Sequence, residues 1–428
     1  MAKDKIICGI DVGSSKIATL IASLSEDNRL NLIGVAATNS RGVKKGQVVD
    51  IDDAVQAITE SVESAERMAG CSVASAFVSM GGPQIESVNQ HAVVAVAQPE
   101  GEIREGDIAR VNDAARAIAL PSAREILHVI PRSFTVDGQM GIRDPIGMTG
   151  VRLETDTHLI TGATTAMRNL AKCVNMVGVD VDELVFSGLG SSESVLTETE
   201  KELGVVLVDI GGETTDVVIF VDGAIAYSSV IPLGGRHVTS DIAVGLRISL
   251  EAAEALKLKL AHVPKQPVMP EGTEKETRKK EEDMLDLKAL GILEDGQKVP
   301  RKAVVDSIIR PRLQEIFKFV GKEIKKSGFG AQIPSGLVIS GGASSTIGTL
   351  EQAKYILGFP ARIGRIEGFM GLTDEIDSPS FAAAAGLILY GIRSGGSAQE
   401  LNLPVLGKGL PIKAISNKVT NLLKSFLP

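Results

Sequence analysis

Cysteine is scarce in this chain. Its three residues, Cys8, Cys71 and Cys173, are odd in number and far apart. That excludes a disulfide framework, offers no zinc-binding spacing and suits a reduced cytosolic protein. Histidine is equally scattered, with five in 428 residues, so a histidine-based metal centre is not expected. Long hydrophobic runs are missing too. The longest, Phe381 to Ile392, is about half of the roughly 20 residues that a spanning helix needs, and it reads as a buried helix. The opening MAKDKIICGID enters a strand at once, with no cleavable signal expected. A soluble chain without a spanning segment is the expectation. An excess of basic charge is also lacking. Formal net charge is −8, which argues against a general nucleic-acid partner. No G-x-x-x-x-G-K-[ST] occurs, which excludes a P-loop. GLGSSE at 188–193 has Glu193 where the third glycine of the dinucleotide fingerprint belongs.

What the chain has is enough apolar sequence, 44% hydrophobic, for a large core in two or more domains. Three β-rich runs, Ile6–Val12, Lys16–Leu24 and Leu30–Thr38, are spaced closely enough for an antiparallel meander. A helix follows, capped by Asp50 or Asp52 and stopped by Gly70. Val55, Ile58, Val62, Ala65 and Met68 recur along it at helical steps. SAFVSMGG then predicts another strand. About two hundred residues later the same order returns: strands at Val205–Asp209, Asp216–Val221 and Ala224–Ile231, then a helix over about Thr239–Leu246. A repeated supersecondary unit predicts two homologous domains facing each other.

Each unit begins with an Asp-x-Gly hairpin. The first is Asp11-Val-Gly13-Ser14-Ser15-Lys16. The second is Asp209-Ile-Gly211-Gly212-Glu213-Thr214-Thr215. Glycines let backbone N–H groups close on an anion, and several such donors make a phosphate nest. Ser14, Ser15, Thr214 and Thr215 add hydroxyls, and Lys16 adds a point charge suited to phosphate. Asp11 and Asp209 would repel a phosphate unless a Mg²⁺, held largely through its waters, lies between. Gly341-Gly342 after SGLVIS forms a strand-to-helix turn that admits a flat ring or sugar, and Gly234-Gly235 is a turn of the same kind. Ser249 is a candidate cap for the next helix, on which Glu254 and Lys257 share a face. That pair either grips a ribose or forms a solvated ion pair.

The tail has its own pattern. From Leu401 to Pro428 there is no Asp or Glu, and lysines stand at 408, 413, 418 and 424. After the linker NLPVLGKGLP, residues Ile412, Ile415, Val419, Leu422, Leu423 and Phe426 fall within roughly 100° of a helical wheel, opposite Lys413, Lys418 and Lys424. A basic amphipathic end on an acidic chain reads as an interfacial membrane anchor, each basic residue adding about 1 kcal/mol near an anionic leaflet. The other reading is a terminal helix docked on the protein's own core.

Together these motifs resemble the actin, hexokinase and chaperone ATPase superfamily: an α/β, actin-like fold with two RNase-H-like domains around an ATP–Mg²⁺ cleft. Over nearly its whole length the chain is similar to the FtsA family of bacterial cell-division proteins. HVIPRSFTVDG, GIRDPIGMTGVRLE, HLIT and GLGSSESVLTETEKELGVVLVDIGG carry that likeness. The resemblance implies a subdomain 1A over 1–84 and 161–195, completed by a helix near 380–395. A relocated interaction subdomain, 1C, would span 85–160. Subdomain 2A would take 196–243 and 334–380, and 2B would take 244–333, where the family binds the C-terminal tail of FtsZ. A linker (396–410) and a membrane-targeting helix (411–428) would follow. It further implies ATP and Mg²⁺ as cofactors, filaments of the chain itself, later division proteins as partners, and a place on the cytoplasmic face of the cell membrane at the division site. A pilus-assembly ATP-binding protein and a sugar kinase are the alternatives within the superfamily. Both lack use for a basic amphipathic tail. One departure stands out: the family's second loop usually reads Gly-Gly-Gly-Thr, and Glu213 takes the third place here. A carboxylate there must turn away from phosphate or meet the metal. Slow hydrolysis at most is expected, with no water-activating base marked by sequence.

Overall fold

A computed structural model describes residues 5–27, 29–97, 101–262, 283–289, 291–292 and 298–395. The tail residues singled out above lie outside the described residues.

The first unit runs β1 (Lys5–Val12), β2 (Lys16–Leu24), β3 (Leu30–Asn39), a small hairpin of β4 (Val43–Lys44) and β5 (Gln47–Val48), α1 (Ile51–Ala69) and β6 (Ser75–Met80). In α1, Asp50 is the cap: its carboxylate accepts the Asp53 N–H at 3.1 Å, and Gly70 closes the helix at φ 68°. Ala54, Ala57, Ile58, Val62 and Ala65 form the buried stripe. Met68, expected on that stripe, is 51% exposed. It sits in the last turn, where the stripe has rotated off the sheet, and its sulfur accepts the Val35 N–H at 3.4 Å.

An insert follows: β7 (Glu86–Ala95), α2 (Glu105–Arg116), β8 (Arg124–Val136), β9 (Gln139–Ile142) and β10 (Arg152–Ala163). Its strands form their own sheet in the order β7-β10-β8-β9, closed over a small core that includes Ile103, Val111 and Leu153. The chain then returns through α3 (Thr164–Met176), β11 (Asp180–Phe186), α4 (Ser187–Val195) and α5 (Glu198–Leu203).

The second unit begins with β12 (Val205–Ile210), β13 (Thr215–Val221), β14 (Ala224–Ile231), α6 (Gly235–Leu246) and α7 (Leu250–His262). Helix α6 starts earlier than the periodicity predicts, because the Gly235 and Arg236 N–H groups bond to the carbonyls of Gly211 and Gly212 at 2.9 and 2.7 Å. Further along, β15 (Met284–Asp286) and β16 (Lys298–Pro300) pair as an antiparallel ribbon. Helical residues 301–327 end in α8 (Arg310–Ser327), which buries Ile316, Phe317, Val320 and Ile324 against the second sheet. The chain continues through β17 (Leu337–Ser340), α9 (Thr349–Leu357), β18 (Ala361–Ile363), β19 (Met370–Gly371) and α10 (Ala382–Gly395).

The two large sheets have one plan. The first is ordered β11-β6-β1-β2-β3, with β19 added at its edge. The second is ordered β14-β13-β12-β17-β18. Each has an antiparallel meander whose first strand pairs in parallel with the strand that follows the helical excursion. The repeat read from the sequence is thus a repeat of sheet topology. Strand β19, within the range 334–380 assigned to the second half, joins the first sheet through β3.

Candidate functional site

The two Asp-x-Gly turns are geometric twins. Gly13 N–H donates to Lys16 O at 3.1 Å, and Gly211 N–H donates to Thr214 O at 2.9 Å. The turns meet: a Cβ built on Gly212 would lie 2.9 Å from Ser15 Cβ. Asp11, Asp209 and Asp216 gather behind them. Asp209 and Asp216 are cross-strand partners on β12 and β13, so both carboxylates share one face.

Each of these carboxylates is met by a serine. Ser79 Oγ, at the end of β6, donates to Asp11 Oδ1 at 2.6 Å. Ser191 Oγ donates to Asp209 Oδ2, and Ser187 Oγ to Asp216 Oδ2. Ser187 and Ser191 are four residues apart, on one face of α4. Ser191 lies within the GLGSSE stretch, 188–193, and Ser187 directly precedes it. Its glycines pack helices instead: Gly190 lies against Gly386 of α10, where no Cβ would fit. The signal that could have exposed these serines is their i, i+4 spacing next to the second hairpin.

Burial dominates the electrostatics. It raises the Asp209 pKa to about 6, against the Ser191 hydrogen bond, and the Asp11 charge adds to the rise. It raises Asp216 to about 8, helped by the charge of Asp209. Asp11 is also raised, with Ser79 and Lys16 opposing. Burial lowers Lys16 to about 8, against the pull of Asp11 and Asp209. The Lys16 ammonium donates to Ser380 Oγ at 2.8 Å and sits 3.5 Å from the Phe381 ring centroid. Asp11 and Asp209 outnumber the one cation, Lys16, and Asp216 Oδ1 is buried without a hydrogen-bond partner. That donor set suits an added cation. Among the described residues no group of three or more His, Cys, Asp or Glu is arranged to ligate a metal directly. A cation held through its own water shell is the mode these residues fit.

The remaining residues divide. Gly341 reaches the site: at φ 80° a Cβ there would overlap Asp209 Oδ1. A Cβ built on Gly342 would lie 3.5 Å from Ser380 Cβ. Gly234 and Gly235 pack on the second hairpin. Lys257 is buried rather than solvated. It bonds Glu254 at 2.7 Å, Thr239 Oγ1 at 2.9 Å and Gly235 O at 3.4 Å, bracing the start of α6. Glu254 keeps 42% of its side chain exposed. Two hydroxyls are spent inside the protein: Ser14 Oγ accepts the Gly46 N–H at 2.8 Å, and Thr215 Oγ1 donates to Leu233 O at 2.8 Å. Thr215 therefore ties the second hairpin to the loop before α6 instead of offering a free donor. Ser15 is exposed and Thr214 half-buried at the turn. Glu213 turns away from the gathered carboxylates. Its Oε2 accepts the Lys45 N–H at 2.6 Å and its Oε1 pairs with Arg236 at 3.1 Å.

Two twinned sheets with facing Asp-x-Gly hairpins and a helix pair crossing beneath them define the actin-like ATPase fold. Solved structures agree. A PilM–PilN type IV pilus biogenesis complex aligns at TM-score 0.62 and 16% identity over 90% of this chain and 98% of that one. MreB5 of Spiroplasma citri bound to ADP aligns at TM-score 0.52 and 12% identity, over 92% and 99%. Residues 82–161 match the family model described as the SHS2 domain inserted in FTSA, and residues 206–386 match that of cell division protein FtsA. Cell division protein FtsA of Pseudomonas aeruginosa is 38% identical over 93% of this chain and 92% of its own length. The Escherichia coli K12 protein of the same name is 32% identical over 91% of each. This chain belongs to the FtsA family of actin-like cell-division proteins.

Proposed function

We propose that this protein binds ATP with Mg²⁺ in the cleft between its two halves, assembles into filaments on the inner face of the cytoplasmic membrane and anchors FtsZ filaments there. Recruitment of later division proteins through the insert, residues 85–160, completes the reading. The region 244–333 would take the FtsZ tail. The observation that carries it is the pairing of twin hairpins with two buried carboxylates, Asp209 and Asp216, and a half-buried Asp11 and Lys16.

In this reading Asp11 and Asp209 face the waters of the metal, Lys16 and the hairpin N–H groups face the phosphates, and Gly341-Gly342 lie beside the nucleoside. Bound there, the nucleotide supplies phosphate charge and the metal supplies the cation that the cleft lacks. Membership of a cell-division family and the acid-free basic tail support the membrane role. No described helix is long and apolar enough to cross a membrane.

Cosedimentation of the full chain with anionic vesicles and the FtsZ C-terminal peptide, with and without ATP, tests the whole reading. The intact chain is expected to pellet with vesicles and carry the peptide down, and a chain truncated after Gln399 is expected to stay in the supernatant. Equal pelleting by both would end the tether reading.

A further inference from the structure

The hairpin of β4 and β5 has a two-residue turn, Lys45-Gly46, with φ of 48° and 70°. Its successive N–H groups reach different hairpins of the cleft. Lys45 N–H bonds Glu213 of the second, at 2.6 Å, and Gly46 N–H bonds Ser14 of the first, at 2.8 Å. The back of the turn rests on the root of the insert. Gln84 is 7% exposed. Its amide nitrogen donates to Gly46 O at 3.1 Å and also to Gly81 O, and its amide oxygen accepts from Gln47 at 2.7 Å. Arg124 then binds Gln84 O at 3.1 Å and Thr161 Oγ1 at 2.8 Å, joining both ends of the insert. The far side of the insert touches the second half. Ser87 Oγ and Asn89 Nδ2 donate to the β14 carbonyls of Ser228 and Ala226, at 2.6 and 2.9 Å, and His158 Nε2 lies 2.9 Å from Ser228 Oγ.

We propose that Glu213 is a positioning residue: through the Lys45-Gly46 turn it registers the second hairpin against the first and passes their relative placement to the root of the insert. The proposal rests on the cleft being a nucleotide site. The path is a contiguous set of hydrogen bonds between the two sheets, and at this turn Ser14, Glu213 and Gln84 are held by adjacent residues. Glu213 gives that path a carboxylate acceptor for two donors, which a glycine at the same place would lack.

Hydrogen exchange on the full chain tests it, together with equilibrium binding of a fluorescent ATP analogue. Without nucleotide, Glu213→Gly is expected to speed exchange of the Lys45 amide about tenfold, the equivalent of about 1.4 kcal/mol. In the wild type, ATP with Mg²⁺ is expected to change exchange across 82–97. In Glu213→Gly that response is lost even at saturating ATP with Mg²⁺. Glu213→Gln, which keeps an acceptor oxygen, restores most of it. An unaltered response of 82–97 in Glu213→Gly, or no response in a wild type that binds ATP, overturns the proposal. A wild type that binds no ATP defeats the cleft reading by itself. The latch is then decided by the nucleotide-free arm, where unchanged exchange at Lys45 overturns it.

Discussion

The two halves share a topology and divide the chemistry. At matching places in their meanders, Asp11 pairs with Ala18 across β1 and β2, and Asp209 pairs with Asp216 across β12 and β13. The first half has one carboxylate where the second has two. The first hairpin carries Lys16 and two serines where the second carries Glu213 and two threonines. A duplicated scaffold has thus become a polar cleft. One wall carries the lysine, and the other carries two of the three aspartates.

The hardest test of that division is to abolish it. Ala18 is fully buried. Ala18→Asp would restore the symmetry by placing a second carboxylate beside Asp11 with no serine built to meet it. Chemical denaturation is expected to show a loss on the order of 3–5 kcal/mol, the range for an uncompensated buried charge. Near-wild-type stability would mean that the asymmetry of the two pairs has no electrostatic basis.

The matching change on the other wall acts in the opposite direction and is smaller. Burial raises Asp216 to about 8, well above its unfolded value. Such a group contributes stability that is complete below the unfolded pKa, near 4, and is lost as pH rises through about 8. Without nucleotide or Mg²⁺, the wild type is expected to lose stability steadily across that window. Asp216→Asn cannot titrate and keeps an acceptor for Ser187, so its curve is expected to be flatter. It should be more stable than wild type at pH 8 and indistinguishable from it near pH 4. Thermal melts over the window decide it, and parallel curves for the two proteins would remove Asp216 from the account.

Much of this was legible in the sequence because it rests on local pattern. Hydrophobic alternation, Asp50 before α1, Gly70 after it and the two Asp-x-Gly turns all signal through near neighbours, so the repeat and both hairpins were found. What stayed hidden depends on residues far apart in the chain. Ser187 and Ser191 meet aspartates that only the packing of α4 behind the second hairpin brings within reach. The Gly190–Gly386 contact joins helices about two hundred residues apart, a pairing that the local GLGSSE pattern does not reveal. The sequence pairs Lys257 with Glu254, close by on one helix face, and leaves open a ribose grip or a solvated ion pair. The burial of Lys257 comes from Thr239 and Gly235, which the fold folds over it. Glu213 was readable as an anomaly but not as a bond, since its acceptor role is fixed by Lys45, 168 residues away.

The two walls can be separated most finely by which part of the nucleotide complex each one feels. Lys16 is a cation poised between Asp11 and Asp209 and held by Ser380 and Phe381, and in the proposed reading its charge faces phosphate directly. Asp11 repels phosphate and helps only when a metal stands between. Lys16→Ala is therefore expected to weaken ATP binding about tenfold, a loss of about 1.4 kcal/mol, whether or not Mg²⁺ is present. Asp11→Ala is expected to cost a similar factor with Mg²⁺ and nothing without it, where removing a like charge makes ATP bind as well as or better than in the wild type. Titration calorimetry with ATP in Mg²⁺ and in chelator supplies all four comparisons. If both variants lose affinity equally in chelator, Asp11 does not work through a metal and the division between the walls is not one of metal against phosphate. If Lys16→Ala changes nothing in either buffer, its contact with Ser380 and Phe381 is its whole role, and the first hairpin holds the anion by its backbone alone.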